Sequence, residues 1–315
     1  MPSTSVIICT RNRAESLRPT LESIGKVTVP DGWNVELLVV DNGSTDHTPA
    51  IVGEARLGNM KLRHVNEPKP GLSFARNTGM SVAQGEIIIF TDDDVRPSLA
   101  WLEKMVTPLM ERTCDAVVGN VEAAEHLQRS WMKPFHKVWV SIPPGTGDTE
   151  RELVGANMGF HRSVLERVPA FDPELGAGAL GFGEETLFSW QLCEAGYRLR
   201  RVSDALVVHH FEPSRLLHSQ WLAAASKRGY SSAYLLHHWQ HDEVKNPLMR
   251  LYYFAAKLRL RRILQPPVPM EAEGCAPWEM SYVHAIEMCR QFLKERQRPR
   301  NYLRHGLKKQ QAFRM

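Results

Sequence analysis

Glu86-Ile87-Ile88-Ile89-Phe90-Thr91-Asp92-Asp93-Asp94-Val95 is the stretch around which the rest of the chain is arranged. Four large apolar residues in a row, with Gly85 before them and acids after, predict a buried strand at the centre of a parallel sheet. The acids then sit at its carboxyl end. Three adjacent carboxylates repel one another and lose hydration, so they need a metal or a positively charged side chain beside them. Magnesium and manganese favour such oxygen ligands, usually one or two carboxylates together with substrate phosphates. The competing reading is an acidic turn that binds nothing.

The preceding residues give this strand its company. Val6-Ile7-Ile8-Cys9 reads as a strand, with a helix from Ala14 to Ile24 after the polar Thr10-Arg11-Asn12-Arg13. Glu36 to Val40 is a second buried strand, ended by the turn and helix-cap signals of Asp41-Asn42-Gly43-Ser44-Thr45-Asp46, with a helix to Leu57. Leu62 to Val65 is a third strand, and Leu72, Ala75, Gly79 and Val82 have helical spacing. Short apolar strands alternating with helices are the pattern of βαβ units in a parallel sheet.

Ligands of such sheets bind outside the carboxyl ends of the strands. Thr10-Arg11, Asp41 and Asp92 to Asp94 each follow a strand directly, so these clusters are expected to line one crevice. No G-x-G-x-x-G follows the first strand and no G-x-x-x-x-G-K occurs, which argues against a dinucleotide enzyme and a P-loop phosphotransferase.

Beyond the acids, a helix is expected from Pro97-Ser98 through Leu109, and a strand at Ala116 to Gly119. Pro143-Pro144-Gly145-Thr146-Gly147 marks a loop over the site. Gly155 to Phe160 is glycine-rich and close-packed in character. After the glycine-rich Gly176 to Gly183, Glu184-Glu185 opens a helix that ends near Gly196, and Ala205 to Val208 is a last strand before His209-His210. Acids are favoured at a helix amino terminus by the dipole alone, so Glu184 and Glu185 do not by themselves mark a site.

The 315 residues are 43% hydrophobic and 23% charged, as in ordinary globular proteins, so disorder is not the default. The formal charge of +4 implies no general affinity for nucleic acid. Five cysteines without a C-x-x-C pair predict buried, reduced thiols and a cytoplasmic setting. The amino terminus lacks the regions of a signal peptide, and no run approaches the roughly 20 apolar residues that span a bilayer.

Taken together, Ser5 to Arg13, Val40 to Asp46, Gly71-Leu72-Ser73-Phe74-Ala75-Arg76-Asn77 and Thr91 to Asp94 resemble successive motifs of the inverting glycosyltransferase family 2. Gly183-Glu184-Glu185, Ala195 to Arg198 and His209 continue the resemblance, which covers about the first 215 residues. It implies the α/β GT-A fold, a Rossmann-like, mostly parallel sheet flanked by helices, over residues 1–213. Residues 214–315 would then form a helical, basic carboxyl-terminal extension. The resemblance further implies a UDP-, GDP- or dTDP-linked sugar donor, a Mg2+ or Mn2+ ion on a D-x-D motif, and a catalytic carboxylate at a helix start. Cys9, Thr10, Arg11 and Asp41 would line the nucleoside pocket, and Arg76 and Asp93 would belong to the donor site. Asp92 and Asp94 would hold the ion with His209, ahead of His210, which the strand pleat sends to the other face. Glu185 would be the base that takes the proton of an acceptor hydroxyl, with Glu184 as its neighbour or substitute. Two departures from the family pattern stand out: Glu rather than Asp at 185, and Arg11 where an aromatic residue is common.

The acceptor implied is a glycan, a lipid-linked or another hydroxyl. A nucleotidyltransferase acting on a sugar phosphate, or a non-catalytic nucleotide-sugar-binding scaffold, would share the acidic cluster. Asn246 to Leu264 mixes apolar residues with Lys257, Arg259, Arg261 and Arg262, and Lys294 to Met315 has Glu295 as its single acid. This composition predicts peripheral contact with an anionic, cytoplasmic membrane face.

Overall fold

The protein is described by a computed structural model over residues 3–140 and 152–310. Strands and helices alternate as β1 (Ser3–Thr10), α1 (Ala14–Ile24), β2 (Asn34–Asp41), α2 (Thr48–Glu54), β3 (Lys61–Asn66), α3 (Leu72–Val82) and β4 (Ile87–Thr91). There follow β5 (Val95–Pro97), α4 (Trp101–Met110), β6 (Ala116–Ala123), α5 (Pro134–Lys137), β7 (Asn157–His161), α6 (Glu184–Glu194) and β8 (Leu199–His209). The remainder is helical, built on α7 (His218–Leu235), α8 (Pro247–Leu264) and α9 (Pro277–Glu295).

All the strands join one sheet in the order β3-β2-β1-β4-β7-β6-β8-β5. β3, β2, β1 and β4 run parallel, β7 lies antiparallel between β4 and β6, β8 is parallel to β6, and β5 is antiparallel to β8. All strands except β5 and β7 therefore end on the same edge. The strand pleat divides the core between two faces. Val6, Ile8, Leu37 and Val39 meet Leu17, Leu21, Trp101 and Met105 on one side. Ile7, Leu38, Val40 and Phe90 meet Ala75, Met80, Phe188 and Leu192 on the other.

Several expectations need correction. β4 is central, but one neighbour is antiparallel, so the sheet is mixed. The helix expected at Pro97 begins at Trp101, because Val95 to Pro97 pair with His209, Val208 and Val207 instead. A three-residue strand shows no periodicity; its partner far along the chain defines it. Asn157 to His161, read only as close-packed, is the strand β7. β8 begins six residues earlier than expected, at Leu199 rather than Ala205. No disulfide joins the cysteines, but Cys193 is exposed rather than buried. The loop at Pro143 to Gly147 lies outside the described residues.

Two cations of the basic carboxyl end, Arg298 and Lys309, help to hold the molecule together. Asp172, whose side chain is fully buried, accepts hydrogen bonds from the Tyr234 hydroxyl (2.6 Å), the Tyr302 hydroxyl (2.7 Å) and Lys309 Nζ (2.8 Å). Arg298 Nη2 pairs with Glu174 at 2.6 Å. These contacts anchor the segment that leads into α6. Burial opposes the charge on Asp172, yet Lys309 and the hydroxyls outweigh it and hold its pKa below the usual range. A depressed folded pKa gives a contribution that is complete above the unfolded value of about 4 and is lost as pH falls through the folded one. Asp172→Asn is expected to cost about 2 kcal/mol at pH 7 and progressively less below about pH 4, measured by denaturant unfolding across pH.

Candidate active site

Strand register brings the predicted residues to one edge of the sheet. Thr10 lies opposite Asp41, Ile8 opposite Thr91, and His209 opposite Val95. The carboxyl ends of β1, β2, β4 and β8 thus present Cys9, Thr10, Asp41, Asp92 to Asp94 and His209 side by side.

The three acids have different surroundings. Asp93 accepts a 2.6 Å hydrogen bond from Thr10 Oγ1 and pairs with Arg13 Nε at 3.0 Å. Burial nevertheless pushes its pKa up to about 7. Asp94 accepts from Arg13 Nη2 at 2.5 Å and lies 3.3 Å from His209 Nε2. Burial disfavours its charge, but the His209 ring and Arg13 hold its pKa well below the usual carboxylate range. Asp92 is less buried, and no hydrogen bond or ion pair is recorded for its side chain among the described residues. Burial and the charge of Asp94 raise its pKa, against the pull of Arg76 and His209.

His209 supplies the test of whether a cation fits. Its Nδ1 lies 3.0 Å from the Val140 carbonyl and must donate to it, so in the neutral ring Nε2 carries a lone pair. That nitrogen lies 3.3 Å from Asp94 Oδ1 and 3.5 Å from Arg215 Nη1, so two acceptors face one another across a gap that a second ring proton or a bound cation would fill. Neighbouring ligand atoms on an octahedral ion with bonds of about 2.1 Å stand about 3 Å apart, close to this spacing. A ligating imidazole whose other nitrogen donates to a carbonyl is also the usual arrangement around metals.

A second charged group lies where α3 meets the start of α6. Arg76 is buried, with Nη1 at 2.8 Å from Glu184 Oε1 and 3.6 Å from Glu185 Oε2, and its guanidinium lies against the Phe90 and Phe171 rings. Gly155 makes this possible, since a Cβ there would stand 2.0 Å from Arg76 Nη2. The rest of the Gly71 to Asn77 motif fastens the loop before α6. Ser73 Oγ donates to the Leu175 carbonyl at 2.9 Å, and Asn77 exchanges hydrogen bonds with the Phe171 backbone at 2.9 and 2.8 Å. Gly183, at φ 89°, turns the chain into α6.

Burial opposes the charge of Arg76, but Glu184 and Glu185 raise its pKa beyond even the arginine norm. Glu184, itself buried, is pushed well above the carboxylate range by burial and by Glu185. Glu185 is the more open of the two acids, with 24% of its side chain exposed. One oxygen of each acid is buried without a hydrogen-bond partner.

The remaining predicted residues divide. Asp41 is buried and accepts from the Ser44 amide at 2.8 Å, closing the turn after β2. The Cys9 thiol is pushed by burial up to about 12. Arg11 is exposed and makes no recorded contact with the acids. His210 donates its backbone N–H to the Asp94 carbonyl at 2.7 Å and turns its ring against His126. Two cations escaped the sequence reading: Arg13, which bridges Asp93 and Asp94, and Arg215, whose Nη1 lies 3.5 Å from His209 Nε2. The need to balance three carboxylates was the available signal for Arg13.

Comparison with known proteins agrees with this geometry. The family model for glycosyl transferase family 2 matches residues 5–168. Glycosyltransferase AglE of Haloferax volcanii is 28% identical over 216 residues, 68% of this chain and 68% of that protein. The putative glycosyltransferase EpsH of Bacillus subtilis is 30% identical over 122 residues, 39% of this chain and 34% of EpsH. The solved structure of the mannosyltransferase PcManGT from Pyrobaculum calidifontis, in complex with GDP-Man and Mn2+, shares the fold. Its TM-score is 0.54 at 21% identity, covering 94% of this chain and 73% of that one. The chain belongs to glycosyl transferase family 2, with its GT-A fold, and is a glycosyltransferase that draws on a nucleotide sugar for glycan synthesis.

Proposed function

We propose that this glycosyltransferase works by a metal-assisted, single inverting displacement, with Asp92, Asp94 and His209 holding Mg2+ or Mn2+ and Glu185 acting as base. The observation that carries the proposal is the division of carboxylates on one edge of the sheet. Asp93 and Asp94 are already compensated by Arg13, whereas Asp92 has no hydrogen-bond or ion-pair partner among the described residues and the Asp94–His209 spacing suits an ion. When bound, the ion supplies positive charge where negative charge develops on the leaving diphosphate.

Glu185 suits the other half of the reaction. Arg76 sits beneath both glutamates and orders them, yet its closer contact is to Glu184. Glu184 is thereby committed to the buried pair. Glu185, with 24% of its side chain exposed, is the more open acid and the one an incoming hydroxyl would give its proton to. Asp41, Cys9 and Thr10 stand at the strand ends where the base and ribose of a UDP-, GDP- or dTDP-linked sugar would lie. Arg11, being exposed, would meet that nucleoside from outside the crevice. Arg76 serves in this reading by positioning the acids, a role different from the nucleotide contact first expected. The acceptor is a hydroxyl on a glycan or a lipid-linked carrier, presented in the cytoplasm or at its membrane face.

Glu185→Gln is expected to lower transfer by about 10²- to 10⁴-fold with donor binding unchanged. The check is single-turnover transfer alongside calorimetric binding of the nucleoside diphosphate; full transfer by this variant would remove Glu185 from the base role. Asp92→Asn is expected to raise the Mn2+ concentration needed for half-maximal turnover by at least about tenfold, read from a metal titration.

A further inference from the structure

No helix among the described residues is long and apolar enough to cross a membrane. One of them nevertheless carries its apolar side outward. On α8, Met249, Tyr253, Leu260 and Leu264 are 64%, 52%, 59% and 71% exposed, with Tyr252 and Ile263 at 65% and 71% beside them. Met249, Tyr253, Ala256, Leu260 and Ile263 recur at steps of four, three, four and three residues, which is one continuous stripe on an α-helix. The opposite side already has a partner: Leu251, Phe254, Ala255 and Leu258 are less exposed, and α8 packs on α9. Arg262 clamps that contact, with Nη2 at 2.6 Å from the fully buried Glu279.

The charges beside the stripe decide what could cover it. From Lys245 to Met270 the sequence has six basic residues and no acid; Asp242, Glu243 and Glu271 lie just beyond its two ends. Taking 100° per residue, Arg259 falls on one flank of the stripe, and Arg250, Lys257 and Arg261 on the other. Lys257 and Arg261 hold their cations over the Tyr253 and Trp278 rings, 4.5 and 4.7 Å from the ring centroids. A second copy docking on this face would bring like charges together. An anionic bilayer would accept the stripe among its acyl chains and the flanking cations at its headgroups. In the far carboxyl end, Arg298 and Lys309 are already engaged by Glu174 and Asp172.

We infer that α8 is an in-plane membrane-docking helix, lying on an anionic lipid surface with Met249, Tyr252, Tyr253, Leu260, Ile263 and Leu264 inserted. Docking of this kind would hold the crevice near a lipid-borne acceptor; it deepens the proposed acceptor assignment but does not depend on the transfer reaction. The test is cosedimentation of the full chain with phosphatidylcholine vesicles, with and without phosphatidylglycerol, at low and high salt. The parent protein is expected to bind the phosphatidylglycerol vesicles and to release with salt. Leu260→Asp with Ile263→Asp, at exposed positions that leave the core intact, should lower partitioning by at least about tenfold. Lys257→Gln with Arg259→Gln should remove the preference for anionic lipid. Consumption of the nucleotide sugar without vesicles should be the same in all three proteins. If none of them consumes donor while the sedimentation difference persists, docking is supported and the proposed transfer is not. Equal sedimentation of the parent and the Leu260→Asp, Ile263→Asp protein would overturn the inference. So would a dimer in light scattering that the same substitutions dissolve.

Discussion

Three carboxylates crowded at the end of a buried strand cannot remain there without positive charge around them. Asp92, Asp93 and Asp94 draw that charge from distant parts of the chain: Arg13 from the start of α1 and Arg215 from beyond β8, while His209 at the end of β8 lies against Asp94. Much of the sheet edge is arranged by this need, since His209 reaches Asp94 because β5 and β8 pair beside it. Breaking a buried charged contact by removing one partner typically costs about 3–5 kcal/mol, so the cluster selects for its own surroundings. Asp92, without a hydrogen bond or ion pair among the described residues, is where we propose that a ligand's charge enters.

The second charged group obeys the same rule with the signs reversed. Arg76 is a buried cation that needs anions, and Glu184 and Glu185 supply them. Through that contact, and through Ser73 and Asn77, α3 fixes the segment between β7 and the first turn of α6. Two sequence motifs separated by about a hundred residues thus form one unit. Its outer member, Glu185, is held in place by the pairing of its neighbour and stays open to the crevice.

The readable parts of the sequence were those where one face or one period dominates. β1, β2, β4, α1, α3 and the start of α6 fell where apolar spacing and turn residues placed them. β5 and β7 were missed because each is defined by strands it meets far along the chain, not by its own pattern. Among the site residues, Asp41, Asp92 to Asp94 and His209 were legible as strand ends, which a parallel sheet must gather at one edge. Which arginine answers the acids was not legible. Arg11 and Arg13 are two residues apart, and only the onset of α1 turns Arg13 inward and leaves Arg11 in solvent. Arg76 has the composition of a phosphate contact, and its burial against Glu184 depends on Gly155, a residue with no signal of its own.

The central claim is that leaving-group charge and acceptor proton are handled by different carboxylates, one cluster at the end of β4 and one at the start of α6. With Glu185 acting as base on the acceptor and not as a nucleophile, transfer is one in-line displacement at the sugar carbon. NMR observation of the first transferred sugar, taken before any equilibration, reports the anomeric configuration directly. The account predicts a product inverted relative to the nucleotide sugar, and a product of retained configuration would contradict it.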